Sequence, residues 1–184
     1  MELYLFDYSR KGYLDGRILR LPTVAIRAGA PSSAASSFIS GLIREPLMGK
    51  RSLCPVATGP DDPNLSRFPV YLSRVSTIIH NFVYALSLPT SAFPSHSRTV
   101  NLPGITTTPR LILDALAAVG GPEAMALVDY EKDDKILHIM KAWPGAFTNE
   151  AALKMGFVRD DPETGFEDAV KDFKRELESN YGAW

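Results

Sequence analysis

Arginine is the residue type in this sequence that most directly suggests a binding site. Few acidic residues accompany the arginines of the first 51 residues, which are Arg10, Arg17, Arg20, Arg27, Arg44 and Arg51. Arg27 ends the apolar segment 17–27. A guanidinium at the end of a strand in an α/β sheet points into the crevice where such sheets bind ligands, and there it can donate two parallel hydrogen bonds to a carboxylate. An ion pair with Asp7, Asp15 or Glu45 is the alternative use of Arg27.

A second group of candidate binding residues stands just before a predicted helix. Ser36 and Ser37 would supply hydroxyl groups, and Phe38 would supply an apolar wall. Each also has an ordinary structural use, because serine caps helices and phenylalanine packs in cores. Together with Arg27 they predict a pocket for a small carboxylate or sugar-like molecule.

The patterns of familiar catalytic sites are absent from the sequence. It contains no G-x-S-x-G turn, no GxxxxGK loop, no H-E-x-x-H and no glycine fingerprint that opens a βαβ unit. A Ser/His/Asp triad built from distant positions stays open, although His80 and His138 fall in predicted helices and His96 in a Ser/Pro-rich loop. With Cys54 as the one cysteine, the sequence predicts no disulfide within the chain and no metal site.

Composition narrows the class of protein. The 184 residues are 45% hydrophobic, which is enough for one compact domain. A net charge of −1 argues against a non-specific nucleic-acid binder and against a polybasic membrane clamp. No apolar run reaches the roughly 20 residues of a membrane helix, and no signal-like region opens the chain. We therefore expect a cytoplasmic protein that binds neither nucleic acid nor membrane.

The elements that would position these residues alternate along the chain. Residues 2–11 predict a short helix that ends at Gly12, and 17–27 predict a strand buried on both faces and interrupted at Pro22. A helix over 34–48 and a strand over 51–56 follow. Residues 55–69, with four prolines, predict a mobile surface loop.

A long amphipathic helix is predicted to begin with Ser73 as its cap. Its apolar residues keep a 3-4 spacing and are predicted to face the core; they are Val75, Ile78, Ile79, Phe82, Val83 and Leu86.

The remaining elements complete a mixed pattern. Strands are predicted at 98–103 and 125–131, and helices at 133–145 and in the strings TNEAALKMG and FEDAVKDFKRELES. The most regular helix signal is ITTTPRLILDALAAVGG, with a Thr cap, Pro109 in the first turn and two closing glycines. Strands and helices that mix over the whole length predict the α/β class.

Four strings in order resemble one family. They are DYSRKGYLDG, RLPTVAIRAGAPSSAASSFISGLIREPLMGK, RTVNLPGITTTPRLILDALAAVGG and the late WPGAF with FEDAV. They are similar to the carboxyl-terminal half of extended short-chain dehydrogenases, in the D-erythronate-dehydrogenase-like branch of the NAD-dependent epimerases/dehydratases.

This resemblance implies a partial Rossmann fold with a small α/β substrate domain. Residues 1–30 and 98–120 would be the remnant of the Rossmann sheet and its helices, and 31–97 with 121–184 the substrate-binding region. Leu21, Pro22 and Thr23 would lie beside the nicotinamide, and Arg27, Ser36, Ser37 and Phe38 would begin the substrate pocket.

The resemblance also implies that the chain lacks the redox machinery. Full-length relatives use NAD, which they hold on an amino-terminal glycine-rich loop, and a Tyr-x-x-x-Lys pair; neither motif is in this sequence. We therefore expect the chain to act on a sugar acid or nucleotide sugar only as a substrate-binding half, without binding NAD alone. The uncapped apolar helix at residue 2 agrees with a chain that opens inside a larger domain.

One segment departs from the family pattern. Relatives tend to have Ser-Pro-Arg before the long helix, whereas Val70, Tyr71 and Leu72 stand here and Arg74 is displaced. Two other functions therefore stay open. The chain would be a stand-alone binding or non-redox catalytic module that uses the same pocket, or a structural subunit that forms homo-oligomers through an exposed sheet edge.

Overall fold

The structure is a computed structural model that describes residues 1–29, 34–93 and 96–181, without the side chains of residues 180 and 181. Its strands are β1 (Ile18–Arg20), β2 (Thr23–Ala25), β3 (Ser52–Cys54), β4 (Val70–Arg74), β5 (Thr99–Asn101), β6 (Ile105–Thr107) and β7 (Val128–Tyr130). Its helices are α1 (Glu2–Arg10), α2 (Ser37–Leu47), α3 (Asn64–Arg67), α4 (Val75–Ser87), α5 (Pro109–Met125), α6 (Asp134–Ala142), α7 (Glu150–Lys154) and α8 (Gly165–Tyr181). Parallel strand pairs with helices between them confirm the α/β class.

The first sheet pairs β1 with β5 in parallel, with Leu19 opposite Val100. Both residues pack against the apolar cluster that includes Ile78 of α4. Successive side chains of a strand point to opposite faces, so Arg20 lies on the other face, where its guanidinium bonds the carboxylate of Glu2 in α1. Helices α1 and α4 therefore flank opposite faces of this strand pair.

The second sheet starts only two residues after β1. Pro22 has no N–H to donate, and the chain leaves the first sheet at Leu21 and Pro22 before β2 joins β4 in parallel. Strand β6 completes this sheet antiparallel to β4. The predicted interruption at Pro22 is confirmed, but the two halves of segment 17–27 belong to different sheets. Arg20 and Leu21 are exposed, so the prediction of burial on both faces is wrong there.

The main core lies between α2, α5 and α8, over the strand pair of β3 and β7. Fully buried side chains of these helices include Ile39, Leu42, Ile112, Leu116 and Val170. Burying an aliphatic side chain of this size contributes about 1.5–3 kcal/mol. This packing fixes the first turn of α2 with respect to β2.

The helix predicted from ITTTPRLILDALAAVGG is confirmed and is longer than expected. The Thr108 hydroxyl accepts a hydrogen bond from the backbone N–H of Leu111, and Pro109 occupies the first turn. The helix is interrupted at Gly121, whose φ is 71°, and then continues to Met125. Strand β6, just before the cap, was missed because three residues are too few for a period-2 pattern.

The prediction of segment 55–69 as a surface loop is only partly right: residues 58–64 lie at the surface, but the two ends of the segment are packed. Val56, Ala57 and Leu65 are fully buried, and part of the segment forms α3. The Asp62 carboxylate accepts hydrogen bonds from the backbone N–H groups of Thr58 and Asn64, which holds the turn together. Prolines here stiffen a packed connection.

The prediction around Ser73 is wrong in two respects. Ser73 lies in β4, and its hydroxyl donates to the carboxylate of Asp160 at 2.7 Å instead of capping α4. The apolar stripe of α4 faces outward from Ile79 onward, whereas Thr77, Ile78, Asn81 and Ala85 are the buried residues of the helix. The spacing predicted a helix with an apolar face, but could not predict what covers that face.

Within the described ranges, none of the helices is long and apolar enough to cross a membrane.

Candidate functional site

An open pocket of about 380 Å³ lies where the chain passes from β1 to β2 and where α2 begins; we call it the junction pocket. The residues that the sequence predicted for a site and that line it are Leu21, Pro22, Thr23, Arg27, Ser36 and Ser37. Phe38 does not line it and contributes instead to an adjoining pocket, which shares Ser37 and Arg44 with the junction pocket.

The wall of the junction pocket is the connection between two sheets. Leu21 is half-exposed, whereas Pro22 is buried. Because β1 is held by β5 and β2 by β4, the two residues between them are fixed at both ends. The pocket therefore has a rigid, mostly apolar side.

Arg27 stands at the mouth of the junction pocket as an exposed cation. The three carboxylates that were predicted as alternative ion-pair partners of Arg27 all pair with other basic side chains. Asp7 pairs with Arg10 and Lys11, Asp15 with Arg17 and Arg98, and Glu45 with Arg44. In the described part of the chain Arg27 has no acidic partner within ion-pair distance. Its guanidinium is thus available to a ligand.

The first turn of α2 forms the opposite side of the pocket. Ser36 stands at the N-cap position, but its side chain makes no capping hydrogen bond. The backbone N–H groups at a helix amino terminus carry partial positive charge, which adds to that of Arg27. This side of the junction pocket is suited to an anion.

Four residues that line the pocket were not among the predicted site residues: Val24, Ala28, Ser40 and Arg44. Arg44 is the charged one of these four. It is buried, and its guanidinium bonds the Glu45 carboxylate and donates to the backbone carbonyl of Arg27 at 3.2 Å. Arg44 thereby ties α2 to the segment that carries Arg27. The sequence feature that could have indicated Arg44 is its position next to Leu42 and Ile43, on the face of α2 that packs in the core.

Arg74 belongs to a different environment. Its guanidinium forms an ion pair with the buried carboxylate of Asp160 at 2.9 Å and reaches Asp172 of α8 at 3.5 Å. It lines a second open pocket, beside α8, and does not reach the junction pocket. The displaced arginine of this chain is therefore used to hold α8 against β4.

The histidines form no common centre. His80, His96 and His138 are all exposed, and none lines the junction pocket. Over the described ranges no cluster of His, Cys, Asp and Glu is arranged to hold a metal ion. Cys54 is buried, and that burial raises the pKa of its thiol.

Two curated relatives of this chain share one name, D-erythronate dehydrogenase. No family model matches the chain. The D-erythronate dehydrogenase of Haemophilus influenzae is 38% identical over 172 residues, which are 94% of this chain and 51% of that protein. The D-erythronate dehydrogenase of Cupriavidus necator is 40% identical over 159 residues, or 86% of this chain and 46% of that protein.

Solved structures show the same fold. The nucleoside-diphosphate-sugar epimerase of Agrobacterium tumefaciens superposes with a TM-score of 0.82 at 29% identity, over all of this chain and 49% of its own. The L-threonine 3-dehydrogenase of Trypanosoma brucei gives a TM-score of 0.73 at 18% identity, over 98% of this chain and 52% of its own. The chain thus spans about half the length of the curated relatives it matches.

In fold and sequence the chain is similar to the extended short-chain dehydrogenases/reductases of the NAD-dependent epimerase/dehydratase family. Within that class it is a D-erythronate-dehydrogenase-like protein, and what it covers is consistent with the carboxyl-terminal half. The resemblance found in the sequence is confirmed.

Proposed function

We propose that this chain provides the substrate-binding half of an NAD-dependent oxidoreductase that acts on a sugar acid or a nucleotide sugar. The observation that carries this proposal is the junction pocket, in which Arg27 is exposed and has no acidic partner among the residues that the structure describes. The two-part division, with 1–30 and 98–120 as Rossmann remnant and 31–97 with 121–184 as substrate-binding region, is part of the same proposal.

The charge of the junction pocket favours a carboxylate ligand. Arg27, the amino terminus of α2 and the hydroxyls of Ser36 and Ser37 all offer positive potential or hydrogen-bond donors. Glu45 is paired with Arg44, so its carboxylate does not compete for the guanidinium of Arg27. D-erythronate, named in the two curated relatives, is an anion of this kind.

The residues of this chain fit one end of an NAD molecule. Leu21, Pro22 and Thr23 form a fixed, partly apolar wall against which a flat ring would pack. No Tyr in the sequence is followed by Lys four positions later, and no glycine-rich loop offers a seat for the pyrophosphate. When bound, NAD would supply the hydride acceptor, and this chain would supply the wall and the anion contact.

Titration of the pure chain with D-erythronate tests the proposal. We expect binding that is at least about tenfold weaker in Arg27→Met, because a hydrogen bond to a charged group contributes about 1.5–3 kcal/mol. Arg159→Met is the matched control, since Arg159 is also exposed but does not line the pocket. No binding by the wild type, or equal loss in both variants, would contradict the proposal.

With NAD and D-erythronate together, we expect neither turnover nor measurable NAD affinity for the chain alone. Absorbance of NADH and a fluorescence titration measure the two quantities. Hydride transfer by the pure chain would refute this part of the proposal.

A second candidate function is ligand binding or non-redox catalysis by the chain alone. It is favoured by the fact that both sides of the junction pocket come from this one chain. A new product of D-erythronate, observed by NMR in the absence of NAD, would establish it.

A further inference from the structure

The pocket to which Phe38 contributes lies between α2, β3 and the start of α6, and has a volume of about 630 Å³. We call it the α2–α6 pocket. Leu53 of β3 and Ile136 and Ile139 of α6 add to its apolar lining. Binding sites for small molecules are mostly apolar and carry a few polar groups that fix the orientation of the ligand. The α2–α6 pocket has the apolar part of such a site.

The polar part consists of two side chains with unused hydrogen-bonding capacity. In the described part of the chain, two buried side-chain atoms lack a hydrogen-bond partner, namely Oε2 of Glu45 and Oγ of Ser52. Both residues line the α2–α6 pocket, and Ser52 is only 9% exposed. Buried polar groups in folded proteins are almost always hydrogen-bonded. Two exceptions on the wall of one pocket indicate a ligand that bonds to both.

The local structure of α2 leaves Oε2 of Glu45 uncovered. The Nε and Nη2 groups of Arg44 both donate to the other carboxylate oxygen, Oε1. One turn earlier in the helix stands Gly41, and a Cβ at that position would lie 3.2 Å from Oε2. Glycine is less favourable than alanine inside a helix. Its presence at position 41 keeps a carboxylate oxygen accessible from the pocket.

The charges around the α2–α6 pocket favour a neutral ligand. Glu45 is paired with Arg44, and Arg51 is paired with Asp129. The other charged residues of the lining are an aspartate and a lysine at the start of α6, which have opposite signs. The lining therefore offers no net charge to attract an anion or a cation.

The two unpartnered atoms also indicate which group the ligand carries. A carboxylate oxygen only accepts hydrogen bonds, so the ligand must donate one to Oε2 of Glu45. The hydroxyl of Ser52 can donate as well as accept. A hydroxyl group on the ligand meets both requirements, because it donates one hydrogen bond and accepts another.

We propose that the α2–α6 pocket is a binding site for a neutral apolar molecule with a hydroxyl group, that is, a phenol or an apolar alcohol. The hydroxyl donates to Oε2 of Glu45 and accepts from Ser52, and the apolar body packs against Phe38, Ile136 and Ile139. This site is separate from the junction pocket and does not depend on the proposed function.

NMR titrations of the full chain with phenol and with toluene test the site. The two probes have nearly the same size, but toluene has no hydroxyl group. We expect phenol to shift the amide signals of Gly41, Leu53 and Ile136. Glu45→Gln should weaken phenol binding about tenfold and Ser52→Ala about threefold, in line with the usual contributions of hydrogen bonds to charged and to neutral groups. The affinity for toluene should change less than twofold in both variants.

Glu163→Gln and Ser66→Ala are the matched controls, because both residues are exposed and lie outside the pocket. Circular dichroism verifies that each variant is folded. The proposal is overturned if phenol does not bind, if it shifts the signals of Val24 and Ala28 in the junction pocket instead, or if the two variants behave like their controls. A parallel loss of phenol and toluene affinity would also overturn it, since it would show that the two side chains only shape the pocket.

Discussion

Asp160 shows how one side chain joins distant parts of this molecule. Its carboxylate is completely buried and accepts hydrogen bonds from the hydroxyls of Ser73 and Thr77, at 2.7 and 2.5 Å, and from the backbone N–H of Arg74 at 2.9 Å. The Arg74 guanidinium completes the arrangement. The loop before α8 is thereby fixed to the end of β4 and the start of α4.

Replacement of Asp160 should strongly destabilise the fold. We expect Asp160→Ala to lower the free energy of unfolding by about 3–5 kcal/mol, since the hydroxyls of Ser73 and Thr77 and the backbone N–H of Arg74 lose their acceptor, and each unsatisfied buried donor costs about 1–3 kcal/mol. Urea denaturation measures the change. In the control Asp129→Ala, the loss of an exposed ion pair with Arg51 should cost less than about 1 kcal/mol. Similar losses in the two variants would show that the Asp160 cluster has no special role.

Asp62 gives the packed segment 55–69 a dependence on pH. Hydrogen bonds from the backbone N–H groups of Asn64 and Thr58 hold the pKa of this carboxyl below its ordinary value of 3.8. The unfolded chain then binds the proton more readily than the folded chain does, so this contribution to stability is complete above the ordinary pKa and is lost as the pH falls through the folded pKa.

We therefore expect the urea midpoint of the wild type to fall as the pH is lowered from neutral through this acidic range. Asp62→Asn should show a smaller fall, because asparagine does not titrate. Unfolding curves at several pH values measure the difference. Parallel pH profiles for the two proteins would contradict the role given to Asp62.

Helix α5 contains a glycine whose backbone conformation interrupts the helix. Gly121 has a φ of 71° in the middle of the segment Pro109–Met125, and an added Cβ would meet no other atom within 4 Å. The strain in Gly121→Ala is therefore conformational, and it should cost about 1–3 kcal/mol, because with a ψ of −173° this backbone conformation is one that only glycine adopts readily. Thermal or urea unfolding measures it. Gly59→Ala, at a site equally open but without a positive φ, should change stability much less.

Helix α4 shows where sequence reasoning stops. The 3-4 spacing of its apolar residues correctly predicts a helix, because that spacing follows from helical geometry alone. The burial of the same residues depends on a neighbour, and the described chain places none over Ile79 or Leu86. Short strands such as β6 escape prediction because their pairing partners are remote in sequence.

At the scale of the whole molecule, the sequence could predict the pocket-lining residues that lie close together along the chain. It could not predict the residues from distant segments that hold them in place. Residues 21–23, Arg27 and 36–37 lie close in sequence, and a strand broken by Pro22 must turn them toward one another. Arg44 and the Asp160 cluster depend on long-range packing that no local pattern encodes. The family resemblance assigned residues 1–30 and 98–120 to one Rossmann remnant, and the strands β1 and β5 within these ranges pair in parallel.

Leu21 and Pro22 connect β1 of one sheet to β2 of another and also line the junction pocket. A ligand that packs against these two residues therefore also restrains the connection between the two sheets. Linkage of this kind is reciprocal: whatever tightens the connection raises the affinity for the ligand by the same factor by which the ligand tightens the connection.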